Sequence, residues 1–231
     1  MDLVRIISAQ DFLNCVLPKN GERSTFIFRD PRSYRDASIE KGGDSQEQET
    51  VGSNFTATTE NDFLVSCWHC LKDQSVADFF DLHAGDNNVA LVSTVEAVEK
   101  VVNEWSENYK KKGLFQDFKH GPIVYYDYGE VVMPSNGGLP NYCLDAPFRK
   151  PKIYNGKNYE KELEYRFAFQ MSSSVRMERA VFYVNPREYV KKIYLNFDLK
   201  KLVHQIWSRL WCWDIKFNNL PGKISEIRFK V

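Results

Sequence analysis

Two cysteines and a histidine form the stretch with the most obvious potential for chemistry. Residues 66–70 read Ser-Cys-Trp-His-Cys, and a further histidine follows at His83. A structural zinc site needs four thiolate or imidazole ligands within tetrahedral reach. Along a β-strand, Cys67 and His69 point to one face and Cys70 to the other, so these ligands would not meet at one metal ion. We therefore expect no metal site.

The spacing of the same two cysteines is also that of a redox-active pair. Such a pair works where a strand meets the N-terminus of a helix, because the helix lowers the pKa of the first thiol. The next predicted helix begins only at Ser75, several residues too late. We therefore interpret Cys67 and Cys70 as small hydrophobic side chains that pack in the interior.

Two glutamates and an arginine alternate along a second stretch. In a predicted strand over residues 162–170, Glu162, Glu164 and Arg166 share one face. One interpretation is a ladder of charged side chains on the protein surface. The other is a carboxylate that acts on a sugar or on its cationic transition state, with Arg166 keeping that carboxylate ionised.

The elements that must position these residues follow from periodicity and from turn residues. Residues 93–96 have a capping-box pattern, and Gly113 is expected to end the helix that follows. Strands and helices are mixed without a βαβ rhythm, which predicts an α+β fold with mixed, largely antiparallel sheets and flanking helices. We predict strands at residues 24–29, 63–68, 89–92, 122–128, 162–170, 180–184 and 224–231, and helices that begin at Ser75, Val95 and Asp198.

The length of the chain is that of one domain. We predict a single domain over residues 1–231, with a polar loop excursion at about residues 40–61 that is rich in Gly, Ser and Thr. Residues 133–147 carry three prolines and two glycines and are expected to form a loop.

Charge and cysteine usage exclude several classes of protein. Lys plus Arg equals Asp plus Glu, at 31 each, so broad electrostatic binding to nucleic acid is not favoured. The N-terminal segment does not resemble a signal peptide, and no apolar run approaches the ~18–20 residues that a membrane helix needs. Five cysteines without a disulfide framework favour a reducing compartment, so we predict a cytoplasmic protein.

Several motifs, taken in order, resemble bacterial proteins of the domain-of-unknown-function family twenty-nine seventy-one. That family carries a strand ending in Ser-Cys and an aromatic residue, a Glu-Ser-x-x-x-Trp-x-x-Tyr helix, a Gly-Val-Ala-Ile strand, and then Val-x-Tyr-x-Asp-Tyr, Phe-x-Lys-Arg and Glu-x-Glu-x-Arg. An aromatic-x-Pro segment followed by Asp comes before them all. The resemblance spans roughly residues 24–200. Its segments in this chain are residues 28–36, 66–68, 74–83, 88–94, 124–128, 148–150 and 162–166.

One segment departs from the family pattern. Phe79 or Phe80 replaces the helix tryptophan, and Leu82 or His83 replaces the tyrosine. If that pair lines the family's pocket, the pocket is altered in this chain. The family carries no established activity, but the resemblance implies a bacterial effector of a phage-defence or toxin locus, working with a protein partner.

The chain is also similar to ADP-ribosyltransferases of the Arg-Ser-Glu type in the order of three features. These are an arginine, a serine on a strand before a helix, and a late Glu-x-Glu. This resemblance implies that Arg29 binds the phosphates of NAD and that Ser66 braces the nicotinamide pocket. It also implies that Glu164 orients the nicotinamide ribose, with Glu162 as the preceding carboxylate.

The same resemblance implies NAD as the substrate and no metal ion. Tyr126, with its neighbours Tyr125 and Tyr128, would supply a face for stacking, and Arg166 is counted with the cofactor-binding residues. The expected activity is transfer of ADP-ribose or hydrolysis of NAD.

Two alternatives remain open at this point. The first is a non-enzymatic sensor or interaction subunit of a defence system, which would bind its partner or a nucleotide through a cleft at residues 79–83. The second is a nuclease-type or RNA-binding effector that uses Asp127, Glu162, Glu164 and Lys150, which the neutral charge disfavours.

Overall fold

The part of the chain that the structure describes is discontinuous. The computed structural model describes residues 1–18, 23–30, 63–72, 74–76, 88–127, 148–154, 157–172, 174–175, 177–196, 215–219 and 224–229, the last two ranges by their backbone alone. The polar excursion at 40–61, most of the helix predicted from Ser75, the loop at 133–147 and the helix predicted from Asp198 lie outside the described residues.

Fourteen strands and three short or medium helices make up the described chain. The helices are α1 (Ala9–Asp11), α2 (Val95–Lys111) and α3 (Pro186–Tyr189), with a π-helical turn at Phe12–Val16 and a 3-10 turn at Tyr159–Glu162. The strands are β1 (Asp2–Ser8), β2 (Thr25–Arg29), β3 (Phe63–Cys70), β4 (Asn88–Thr94), β5 (Phe115–Pro122), β6 (Val124–Tyr126), β7 (Arg149–Pro151), β8 (Ile153–Tyr154), β9 (Lys157–Asn158), β10 (Glu164–Met171), β11 (Arg179–Tyr183), β12 (Lys192–Asn196), β13 (Ile215–Asn219) and β14 (Ile224–Phe229).

The fold class predicted from the sequence is confirmed, because these elements form an α+β fold with largely antiparallel sheet. The strand pairs β1–β4, β4–β12 and β5–β10 are all antiparallel, whereas β6 and β7 run parallel. Within the described ranges, no helix combines the length and the apolar character that crossing a membrane requires.

The contacts of the chain divide it into two compact units. Unit 1 consists of Met1–Phe26, Trp68–Trp105 and Val181–Val231, and unit 2 consists of Ile27–Cys67 and Ser106–Ala180. Both units are assembled from segments that are distant in sequence, so neither corresponds to one continuous stretch. The expectation of a single domain over residues 1–231 stays a prediction.

Unit 1 is built around the first strand of the chain. β1 pairs along its whole length with β4, from Asp2↔Thr94 to Ser8↔Asn88, and the other edge of β4 pairs with β12. Their apolar side chains bury a small cluster of Val4, Ala90 and Val92, against which Ile6 and Tyr194 pack. The continuous apolar run at residues 89–92 of β4, which is buried throughout, is typical of a strand that is covered on both faces.

Helix α2 begins at Val95, as predicted, with the second residue of the capping-box pattern as its N-cap. The hydroxyl of Thr94 accepts a hydrogen bond from the backbone N–H of Ala97, 3.3 Å away, so Thr94 is the N-cap. The hydroxyl of Ser93 instead donates to the carbonyl oxygen of Tyr189. At the other end, Gly113 takes a left-handed conformation with φ +69°, and the prediction that it ends the helix is confirmed.

Unit 2 is organised by β10, which pairs with β5 on one side and with β3 on the other. One face of β10 carries Phe167 and Phe169, which belong to a packed group of aromatic rings. The opposite face carries Glu164, Arg166 and Ala168, because side chains alternate along a strand. The two faces of β10 therefore have opposite chemical character, one aromatic and one charged.

The start of β10 differs from the prediction. The strand predicted over residues 162–170 begins only at Glu164, and Glu162 ends the 3-10 turn before it. Leu163 between them has φ 45°, which breaks the extended conformation.

Candidate functional site

A buried charge cluster in unit 2 is centred on the carboxylate of Glu164. Arg166 donates to it twice, from Nε to Oε1 at 2.6 Å and from Nη2 to Oε2 at 3.1 Å. Lys150 Nζ donates to the same Oε2 at 3.4 Å. The side chains of Arg166, Lys150 and Glu164 are only 1%, 5% and 5% exposed, so both cations and the carboxylate are held away from water.

Glu162 joins the cluster through the irregular backbone that precedes β10. Lys150 Nζ also donates to Glu162 Oε2, at 3.2 Å. In a regular strand, side chains two residues apart point the same way and run parallel to each other, so they do not converge on one group. The left-handed Leu163 reorients the chain between the two glutamates, and both carboxylates reach one ammonium group. Glu162 is the more accessible of the two, with 16% of its side chain exposed.

The backbone of Glu164 is fixed on both sides. Its N–H donates to the hydroxyl of Tyr125 at 3.0 Å, and its carbonyl accepts from the N–H of Ile123 at 2.9 Å. The regular ladder between β10 and β5 starts one residue later, at Tyr165↔Pro122. The tyrosine hydroxyl thus satisfies a backbone donor at the place where the ladder ends.

An aromatic ring covers the lysine at the centre of the cluster. Lys150 Nζ lies 4.7 Å from the centroid of the buried Tyr159 ring, which is within the range of a cation–π contact. Tyr159 belongs to the same 3-10 turn as Glu162. That turn therefore supplies two of the groups that hold the ammonium of Lys150.

The electrostatics of the cluster keep Glu164 ionised. Burial by itself would raise the pKa of Glu164, but the charges of Arg166 and Lys150 outweigh it and hold the pKa well below its usual range. Hydrogen bonds from Arg166 and from the thiol of Cys67 act in the same direction. The interpretation that Arg166 keeps this carboxylate ionised therefore agrees with the geometry.

Ser66 is not brought to this cluster. The neighbouring Cys67 hydrogen-bonds the Glu164 carboxylate, and Val65 and Cys67 pack with Ala168 of β10. Because side chains alternate along β3, the buried Ser66 points to the opposite face of the sheet. Ser66, Glu164 and Arg29 therefore do not assemble as the Arg-Ser-Glu resemblance implies.

Arg29, by contrast, lies on the same face of the sheet as the cluster. It is paired directly with Val65, and residues opposite each other on antiparallel strands point to the same face. Its side chain is exposed. Arg166, counted with the cofactor-binding residues in the sequence, is instead buried against Glu164. Tyr126 has its backbone in β6, and its side chain lies outside the description.

The cysteines that open the sequence argument have separate surroundings. Cys15, Cys67 and Cys70 are thiols and form no disulfide. Cys67 is partly buried and contributes to the environment of Glu164, which the sequence did not indicate. Burial raises the pKa of Cys70. Among the residues that the structure describes, no group of three or more His, Cys, Asp or Glu side chains could hold a metal ion.

Three residues of the nuclease alternative, Glu162, Glu164 and Lys150, lie in one cluster, whereas Asp127 pairs with a different lysine. Asp127 pairs with Lys152, with 3.1 Å between Oδ2 and Nζ, at an exposed position. Glu162 and Glu164 pair instead with Lys150. Three contributors to the cluster escaped sequence reasoning in the roles they have here: Lys150, Tyr125 and Tyr159. The one sequence signal for Lys150 and Tyr159 is the density of Tyr and Lys in residues 148–159.

Comparison with known proteins adds no relative. No protein-family model matches this sequence, and no curated protein or solved structure matches it. The resemblances to known families therefore rest on the sequence motifs alone.

Proposed function

We propose that unit 2 acts on NAD, breaking the bond between nicotinamide and ribose and passing the ADP-ribosyl group to water or to another acceptor. The observation that carries this proposal is the pair of carboxylates, Glu162 and Glu164, held at one ammonium group beside Arg166. Cleavage of that bond passes through an oxocarbenium-like cation, which a preorganised carboxylate stabilises.

In this proposal the two glutamates have different roles. Glu162 is the catalytic carboxylate, because its side chain is the more exposed of the two, at 16% against 5%. Glu164 is a positioning residue, since it is nearly inaccessible and bonded to two cations. Lys150 bridges them and orients the Glu162 carboxylate.

Arg29 is the proposed contact for the pyrophosphate. Its guanidinium is exposed and stands on the same sheet face as Glu164, and the planar guanidinium fork suits bidentate bonding to phosphate oxygens. Tyr126 stays a proposed stacking residue. Ser66 has no role in this version, which therefore departs from the Arg-Ser-Glu arrangement.

The experiment measures nicotinamide release from NAD by the purified protein, alone and with cell lysate or nucleic acid as a source of acceptors. We expect release by the wild type, a loss of about 100-fold or more in Glu162→Gln, and little change in Glu160→Gln. Glu160 is the matched control, because it lies on the same turn and is exposed. No release by the folded wild type with any acceptor would overturn the proposal.

A non-enzymatic interaction subunit of a defence or toxin system is the second candidate. The observation in its favour is that Glu162 and Glu164 are already matched by Lys150 and Arg166, as in a structural ion-pair network. This candidate predicts that NAD neither raises the melting temperature of the protein nor releases nicotinamide. The nuclease alternative gains no supporting observation from the described residues.

A further inference from the structure

The hydroxyl of Tyr125 has a hydrogen-bonding capacity that the described part of the chain does not use. Its oxygen accepts from the backbone N–H of Glu164 at 3.0 Å, so its own hydrogen points elsewhere. None of the residues that the structure describes accepts that hydrogen. Tyr125 is only partly buried, whereas Glu164 is buried.

The phenol also stays neutral, so it keeps the hydrogen that it can donate. Burial above all raises the pKa of Tyr125 far above its ordinary value, and the charges of Glu164 and Glu162 add to this. Lys150 acts in the opposite direction. The hydrogen bond to the backbone of Glu164 places the phenol beside this residue, whose carboxylate shares Lys150 with Glu162.

The groups around the Tyr125 hydroxyl favour a particular kind of ligand group. A phosphate would meet carboxylates whose partner cations are already engaged, so repulsion disfavours it. A neutral hydroxyl both donates and accepts hydrogen bonds. It can accept from Tyr125 and donate to Glu162 at the same time.

We propose that Tyr125 is a specificity-determining residue that donates a hydrogen bond to the 2′-hydroxyl of the nicotinamide ribose, while Glu162 accepts from that hydroxyl or faces the adjacent C1′. The inference rests on the proposed function, since it names the group of NAD that the site recognises. It assigns Tyr125 a polar contact in place of the stacking role that the sequence suggested. The site then prefers a ribose over a 2′-deoxyribose at this position.

The experiment compares NAD with its analogue that lacks this 2′-hydroxyl. The kcat/KM for nicotinamide release is measured for both substrates with the wild type, Tyr125→Phe and the control Tyr165→Phe. The control also loses a tyrosine hydroxyl from unit 2, one that bonds His120 Nδ1 at 2.7 Å on the other face of β10. For each protein, the ratio of kcat/KM for NAD to kcat/KM for the analogue is divided by the ratio of their uncatalysed hydrolysis rates. The difference in intrinsic reactivity between the two substrates then cancels.

We expect the wild type and Tyr165→Phe to prefer NAD by about 10-fold on this corrected scale, and Tyr125→Phe to lose most of that preference. An equal loss on both substrates would show that Tyr125 only supports the backbone of Glu164, and would overturn the inference. If Tyr125→Phe does not fold, the wild type alone decides, because a corrected ratio near one contradicts the inference. Failure of the proposed function is a different result, the absence of release from NAD by the wild type.

Discussion

Replacing Glu164 by glutamine is the most informative perturbation of the charge cluster. The substitution keeps the shape of the side chain and removes its charge. It leaves Arg166 and Lys150, which are 1% and 5% exposed, without the charged carboxylate that bonds both of them.

The size of the expected loss follows from these contacts. Breaking a buried ion pair by removing one partner costs about 3–5 kcal/mol, because a buried charge is left without compensation. Glu164 bonds both cations, so we expect about 4 kcal/mol of lost unfolding free energy. Glu162 is more exposed than Glu164, so for Glu162→Gln we expect a smaller loss of about 1 kcal/mol.

Urea unfolding followed by circular dichroism measures these values, with Glu160→Gln as the exposed control. The double variant Glu164→Gln/Arg166→Met is expected to cost less than the sum of the two single variants, because both charges leave together. If Glu164→Gln lost no more stability than Glu160→Gln, the cluster would not be held as the contacts indicate, and the reasoning would be refuted.

Three further outcomes follow from the same structure. The pKa of Glu164 is lowered in the folded protein, so below about pH 5 the unfolded chain takes up a proton that the folded chain does not. The free energy of unfolding should therefore fall on acidification, and it should fall less steeply in Glu164→Gln. Equal slopes of stability against pH in the two proteins would contradict this. Gly113→Ala should lower the free energy of unfolding by about 1 kcal/mol. The loss comes from the φ of +69° alone, since no atom lies within 4 Å of the added Cβ. An unchanged melting temperature would argue against the left-handed cap. Burial raises the pKa of Cys70, so at pH 8 iodoacetamide should label this thiol far more slowly in the native protein than in urea. Mass spectrometry measures the two labelling rates. Equal rates would contradict the burial of Cys70.

Some parts of the site could be predicted from local sequence pattern. The alternation of Glu164 and Arg166 correctly placed both on one face of a strand, because a period of two is a property of the extended backbone itself. Gly113 was identified as a helix end for a similar reason, since glycine adopts left-handed φ without steric cost. Both inferences need only the residue and its close neighbours.

Other parts depend on contacts that no local pattern contains. Alternation indicated that Ser66 and Cys67 point to opposite faces of β3, but not which of those faces meets Glu164. Lys150 lies fourteen residues before Glu164 and reaches it through tertiary packing. Leucine at position 163 gives no sign of a left-handed conformation, which the surrounding fold imposes.

The central claim is that NAD binds with its nicotinamide ribose at the Glu162 carboxylate. A crystal structure with a carbocyclic NAD analogue, whose bond to nicotinamide cannot be cleaved, tests it most directly. We predict C1′ of the carbocycle next to Glu162, the 2′-hydroxyl at Tyr125 and the pyrophosphate at Arg29. An analogue bound elsewhere, or a protein that does not bind it at saturating concentration, would contradict the account.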